Sequence, residues 1–282
     1  MTDYNLFENQ SSFITMKINV YYADGEGGSG TGFIFKVSGG DAGDLYFLVT
    51  NRHVIEGASR VEFRFTKSTP DGHPNHEEHH ICHFETDSYN LIAYHPDAEV
   101  DLCIIGLGPA LQSVLDSGHQ PYIKGFTVDQ IADQQDRLSA KAIENVLMIG
   151  YPNGLVDEIH NVPIVRRGVT ATPIFLDHNG RPEFVVDAAC FPGSSGSPII
   201  RYDHGCFIED GETKFGTRAQ LLGILYAGPY VQPDGSVQTR HIPTGAVTED
   251  DIKVMINLGY CIRAEEILGF YQILESWGAI LD

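Results

Sequence analysis

At 282 residues the chain has room for one large β domain or two small lobes, and a chain of this length folds without disulfide staples. Apolar residues make up 42% and charged residues 20%, the balance of an ordinary soluble globule. Lys plus Arg number 18 against 38 Asp plus Glu, and the resulting net charge of −20 repels phosphate, which excludes nucleic acid and anionic membranes as expected partners.

The first residues, MTDYNLFENQSSF, contain no basic region followed by an apolar one, so no signal peptide is expected, and no apolar run reaches membrane-spanning length. Ile14, Met16, Ile18, Val20 and Tyr22 alternate with more polar neighbours, which predicts a half-buried strand. GEGGSGTG breaks the alternation, and FIFKV and LYFLVT then read as two strands joined by the turn SGGDAGD. RVEFRF, NLIAYH and DLCIIGL add further short strands. With 30 glycines in the chain, this spacing points to a β sandwich or barrel.

From 109 to 144 the pattern changes: FTVDQIADQQDRLSAKAI holds few β-branched residues and several helix formers, which predicts a partly helical connection between two β lobes. The first lobe is assigned to 12–108 and the second to 145–262, where VLMIGYP, VPIVRRGVTATPIF, EFVVDAAC, SPIIRY and QLLGILYAG resume the short-strand pattern. Over 263–282, Ile267, Phe270, Tyr271, Leu274, Trp277 and Leu281 recur at helical spacing, predicting a terminal amphipathic helix packed on a lobe.

Five cysteines, Cys82, Cys103, Cys190, Cys206 and Cys261, are scattered without a C-x-x-C pair. Free thiols in a reducing, cytoplasmic setting are therefore expected. HPNHEEHHICH, from His73 to His83, carries five histidines, two glutamates and a cysteine in eleven residues. Its spacing matches no zinc pattern such as H-E-x-x-H, so a polar loop between strands is expected and no metal or other cofactor is assigned.

Three segments carry chemistry. CFPGSSGSPII, Cys190 to Ile200, places small residues before an apolar strand, as a plain turn would, or as a loop holding a serine beside backbone N–H groups would. His53, in FLVTNRHVIEG, stands at a strand end, where a general base would be rigid and reachable. Asp101 stands directly before the apolar run LCIIGL, where a carboxylate must be paired or hydrogen-bonded, whereas Asp97 lies in a loop expected to face water. Taken singly, His53 and Asp101 are unremarkable strand-boundary residues.

As an ordered set, TNRHVI, VDLCIIGL and GSSGSP resemble the signature segments of chymotrypsin-like (trypsin-fold) serine proteases. With GSGTGFIF, GYPNG and VDAACFPGSSGSPI, they look most like bacterial HtrA-type and related trypsin-like peptidases. The resemblance covers nearly the whole chain, and implies an all-β fold of two six-stranded antiparallel barrels, with the terminal α-helix added and a cleft between the lobes. It implies Ser195 as nucleophile, His53 as general base and Asp101 as the group that orients the imidazole, with the N–H groups of Gly193 and Ser195 as oxyanion hole. Tyr226, Ala227 and Gly228 match the family strand that pairs with a substrate backbone, and Ala189 matches the floor of the specificity pocket.

Some positions depart from the family pattern. Ser194 replaces the aspartate that receives a new N-terminus in digestive enzymes, so the loop must be preformed or ordered by another partner. Tyr226 replaces a frequent serine and is expected to change how the aspartate is held. Ala189 in place of a trypsin-like aspartate favours a small or aliphatic residue at the cleavage site. No added peptide-binding domain is expected after the terminal helix.

An α/β-hydrolase is excluded, because its G-x-S-x-G elbow and its Ser, acid, His order are both missing. The expectation is a serine endopeptidase acting on a protein or peptide, with a dedicated partner protein as the substrate that makes such an activity safe inside a cell. A catalytically silent scaffold of the same fold is the alternative.

Overall fold

A computed structural model describes residues 2–87, 91–209, 211–231, 235–244 and 257–279. Fourteen strands form two antiparallel sheets of seven among these residues. In the first sheet the strands are β1 (Thr15–Tyr21), β2 (Gly27–Ser38), β3 (Asp44–Thr50), β4 (Arg60–Ser68), β5 (Pro74–Glu85), β6 (Ile92–Tyr94) and β7 (Cys103–Gly106). They lie in the order β5-β4-β1-β2-β3-β7-β6. β1 shows how sequence dictates this layer: Met16, Ile18 and Val20 are buried while Lys17, Asn19 and Tyr21 are half-buried, the two-residue period of a strand with one face on a core.

The second sheet holds β8 (Asn145–Gly150), β9 (Ile164–Thr170), β10 (Glu183–Asp187), β11 (Pro198–Glu209), β12 (Glu212–Val231), β13 (Val237–His241) and β14 (Leu258–Arg263), in the order β11-β8-β9-β10-β14-β12-β13. β11 also pairs with β12, which joins six of these strands into a ring and leaves β13 attached outside it, on β12. Among the described residues the first sheet carries no such closing pair, so the chymotrypsin-like fold here differs from two tidy six-stranded barrels.

Two local expectations in the first sheet also change. GEGGSGTG does not interrupt the strand pattern, because β2 begins at Gly27. Its glycines serve close packing: a Cβ on Gly30 would come within 2.5 Å of Val54 Cγ1, and one on Gly28 within 2.6 Å of the Thr244 carbonyl oxygen. Nor is the histidine-rich stretch a loop. From Pro74 on it forms β5, the sheet edge, paired with β4 on either side of a bulge at His76–Glu78, with Glu77, Glu78 and His83 exposed to solvent and its other histidines half-buried. Its histidines find separate partners: His76 the Tyr4 hydroxyl, His79 the Ile159 carbonyl and His80 the Ser113 hydroxyl.

The stretch between the sheets contains two helices, named here α1 (Gly108–Asp116) and α2 (Gln134–Ser139). The terminal segment is a 3-10 run over Ala264–Phe270 that continues as an α-helix over Tyr271–Ser276, so only its second half is α-helical. Ile267, Phe270 and Leu274 are buried in one apolar cluster with Phe33, Phe35 and Phe47 of the first sheet and Ile149, Ile200 and Leu221 of the second. Leu281, the last member of the apolar stripe, lies outside the described residues. Among the described residues no helix is long and apolar enough to cross a membrane.

Candidate active site

Ser195 sits in the short connection between β10 and β11, and the backbone there is turned by two glycines with positive φ, Gly193 at 82° and Gly196 at 85°. A Cβ on Gly193 would come within 2.6 Å of the Tyr151 carbonyl oxygen, so no other residue fits without displacing that strand end. The carbonyls on either side of Ser195 are engaged by the chain itself. Pro192 O accepts from the Asn153 N–H at 2.5 Å, and Ser194 O accepts from the Ser197 N–H at 3.0 Å. Because a trans peptide points its N–H opposite its C=O, these two bonds turn the N–H groups of Gly193 and Ser195 to the other side. The Thr31 hydroxyl donates to Gly193 O at 2.9 Å and the Thr31 N–H donates to Ser195 O at 2.8 Å, tying the loop to β2.

Ser194 receives a partner of another kind. Arg166, on β9, donates from Nη2 to the Ser194 hydroxyl at 2.8 Å and from Nη1 to the Ala189 carbonyl. A guanidinium thus braces the loop where the digestive enzymes use an ion pair.

His53 follows β3 in a single helical turn, Arg52–Ile55, whose Val54 and Ile55 are buried and anchor it. Its Nδ1 lies 2.5 Å from Asp101 Oδ2 and its Nε2 lies 2.9 Å from Ser195 Oγ. Its backbone N–H also donates to Asp101 Oδ1 at 3.0 Å, so both carboxylate oxygens are held by one residue. The Asn51 side chain and the Arg52 N–H donate to the Asp101 carbonyl, which locks the two segments in register. Asp97 is exposed and takes no part. With Nδ1–H directed at the carboxylate, Nε2 is left to accept the Ser195 proton, a tautomer assigned from the hydrogen-bond network. An alcohol so placed can lose its proton while attacking a carbonyl carbon.

The residues assigned to substrate binding are less uniform. Ala189 is half-buried, and it is its neighbours Ala188 and Cys190 that are buried in an apolar cluster, with Leu225 and Cys261. Burial pushes the Cys190 thiol up to about 12, so it stays protonated and is no rival nucleophile. The Tyr226 hydroxyl donates to Glu183 Oε1 at 2.9 Å, away from Asp101, and burial together with that carboxylate raises its pKa. The aspartate is therefore held without help from the residue at 226. The backbones of Tyr226, Ala227 and Gly228 do meet an extended strand, but it is the chain's own: Tyr226 O accepts from the Ile242 N–H, while Ala227 and Gly228 lie opposite His241 and Arg240 of β13.

One group of side chains among the described residues lies close enough to share a cation: His53, Asp101 and His241, with ligand atoms within 4.8 Å of one another. Both ring nitrogens of His53 are already within hydrogen-bond reach of Asp101 and Ser195, so the group reads as a hydrogen-bonded network. The His241 ring stacks on that of His53, centroids 4.6 Å apart and planes 14° from parallel. Arg166 and the segment His241 to Thr244 escape a reading of motifs. The first is one cation in a strand; the second carries only an isolated apolar residue before a proline, which biases that residue to extended backbone.

The structure is similar to that of the Rv3671c protease of M. tuberculosis in its active form, with 17% identity over 98% of this chain and 86% of that chain at a TM-score of 0.46. The inactive form of the same protease gives 19% identity, 92% and 88% coverage and a TM-score of 0.42. The scabies mite inactivated protease paralogue S-I1 is similar at 13% identity, 95% and 96% coverage and a TM-score of 0.48. No curated protein sequence matches the chain. The model of the trypsin-like peptidase domain matches residues 30–208, more than half of the chain and the part that holds His53, Asp101 and Ser195, and the chain belongs to that family.

Proposed function

We propose that the chain is a serine endopeptidase working through an acyl-enzyme. Ser195 Oγ attacks the substrate carbonyl carbon as its proton passes to His53 Nε2, and Asp101 holds the imidazole and stabilises the imidazolium. The N–H groups of Gly193 and Ser195 receive the developing oxyanion, each donor worth about 3–4 kcal/mol in the transition state. His53 returns the proton to the departing amine, and water then repeats the sequence on the ester. The observation that carries this reading is the unbroken line of hydrogen bonds from Asp101 through His53 to Ser195.

The substrate in this reading is an extended peptide that pairs with β12 at Tyr226 to Gly228, the edge β13 covers, with a small or aliphatic side chain entering the apolar cluster of Ala188, Cys190 and Leu225. Five free cysteines, four of them buried, support a reducing compartment such as the cytoplasm. In that setting unrestrained proteolysis is hazardous, which favours a dedicated protein substrate. A silent scaffold has no physical need for the three aligned side chains.

A fluorophosphonate probe is expected to label Ser195, and His53→Ala and Ser195→Ala are each expected to abolish labelling. Labelling at another serine, or undiminished labelling of the Ser195→Ala protein, would remove the assignment.

A further inference from the structure

The nucleophile is 0% exposed, and the chain itself is what covers it. β13 lies antiparallel on β12, outside the closed ring, where an incoming peptide would add as a strand. Past its end the Ile242 N–H donates to Tyr226 O at 3.1 Å, and the Ile242 side chain is fully buried in the cluster that holds Ala188, Cys190, Leu225 and Cys261. His241, one residue earlier, lies flat on His53. Beyond Ile242, Pro243 O accepts the Gly193 N–H at 3.2 Å and Thr244 O accepts the Ser29 N–H at 2.6 Å, so the segment crosses from the second sheet to the first.

An ordinary barrel strand would be held by its own buried side chains, yet Val237 to His241 are all exposed. Backbone pairing, one apolar anchor and the active site hold the segment. The register is also unproductive. Ile242 presents its carbonyl oxygen, 3.2 Å from both His53 Nε2 and Ser195 Oγ, where a cleavable peptide would present its carbon. The oxyanion donor is meanwhile taken by the carbonyl one residue farther on.

We propose that residues 237–244 are a tethered inhibitor that occupies the cleft in the manner of a substrate, and that its anchor names the substrate class: an extended segment with a β-branched aliphatic residue in the pocket. The proposal rests on the endopeptidase reading for its chemistry but not for its occupancy, and the two can be separated. Ile242→Asp puts a charge into an apolar pocket and should expel the segment; Ile242→Gly does so with no charge to bury, should the first variant fail to fold. Two measurements compare both variants with the wild-type chain: the rate of fluorophosphonate labelling, and the anisotropy-measured affinity for a fluorescent synthetic peptide of residues 236–244.

The variants are expected to label about tenfold faster or more, and to bind the peptide tighter by a similar factor, as follows when the open form is a tenth or less of the wild-type population. Equal labelling rates at Ser195 in all three proteins, or peptide affinity that does not distinguish them, overturns the inhibitor. Peptide binding that favours the variants with no labelling of any protein keeps the occupancy and overturns the endopeptidase reading instead.

Discussion

Ser194 stands where related enzymes hold a carboxylate, and the residue that answers it, Arg166, comes from a neighbouring strand. Its two donors reach the Ser194 hydroxyl and the Ala189 carbonyl, so the loop is held at both ends of its turn. Removing them with Arg166→Met should let the Gly193 N–H drift, and misplacement on the scale of an ångström costs about a hundredfold in rate. In an Ile242→Gly background the loss is expected in kcat with KM nearly unchanged, because the oxyanion forms only in the transition state; a change confined to KM would contradict it.

Asp101 is subject to a sharper test. Asp101→Asn keeps the shape but reverses the hydrogen-bond demand on Nδ1, leaving Nε2 with the proton, and kcat should fall by about 10⁴-fold with the circular dichroism unchanged. Ser195, His53 and Asp101 were legible only as an ordered set resembling the chymotrypsin-like signature segments, since taken singly their strand-boundary positions are unremarkable. Arg166 was not, because its role depends on β9 and the loop meeting in space, and no spacing along the chain records that.

At the scale of elements, strands with their own apolar signal, the alternation of β1 and the continuous run of β3, could be read from sequence. β5 and β13 could not. Both are polar, and both are strands because a neighbouring edge, β4 in one case and β12 in the other, offers unpaired N–H and C=O groups. β13 therefore has conditional stability, and pH should act on it through His241. Although the residue is exposed overall, partial desolvation of the ring stacked on His53 pushes this imidazole below its ordinary pKa of 6.5, the charge of His53 adds to the shift, and the Asp101 and Glu56 carboxylates oppose it. The Tyr226 ring of β12 also faces it, while Arg240 beside it is exposed.

The docked state thus binds fewer protons than the released one. Docking is at full strength above the ordinary value and weakens as pH falls through it. In the Ser195→Ala protein, amide exchange at Arg240 to Ile242, corrected for the intrinsic rate, should lose protection between about pH 8 and about pH 5.5, and His241→Gln should flatten that dependence. Protection that does not change with pH in the parent protein would refute the coupling.

Across the whole molecule, the terminal segment does more than decorate one lobe. Phe270 and Leu274 sit in a cluster drawn from both sheets, and Trp277 stacks on Phe47 with ring centroids 5.7 Å apart. Phe270→Ala should cost about 3–5 kcal/mol, and because the cluster bridges the sheets, denaturant unfolding should remain a single transition shifted to lower midpoint. Two separated transitions would show that the sheets unfold independently. Sequence periodicity found the buried Ile267, Phe270 and Leu274 of this stripe but read the whole segment as α-helix, because apolar residues three apart satisfy a 3-10 turn as well as an α turn.

The ring of six strands has a further consequence. Since β13 contributes nothing to its closure, the ring keeps every rung when that strand leaves, and a visiting chain lying down in the vacated seat restores the same ladder. Exchange of one for the other is close to neutral in backbone hydrogen bonds, so the choice between resident and visitor falls to a few side chains and to local concentration, where the resident, being covalently attached, begins with the advantage.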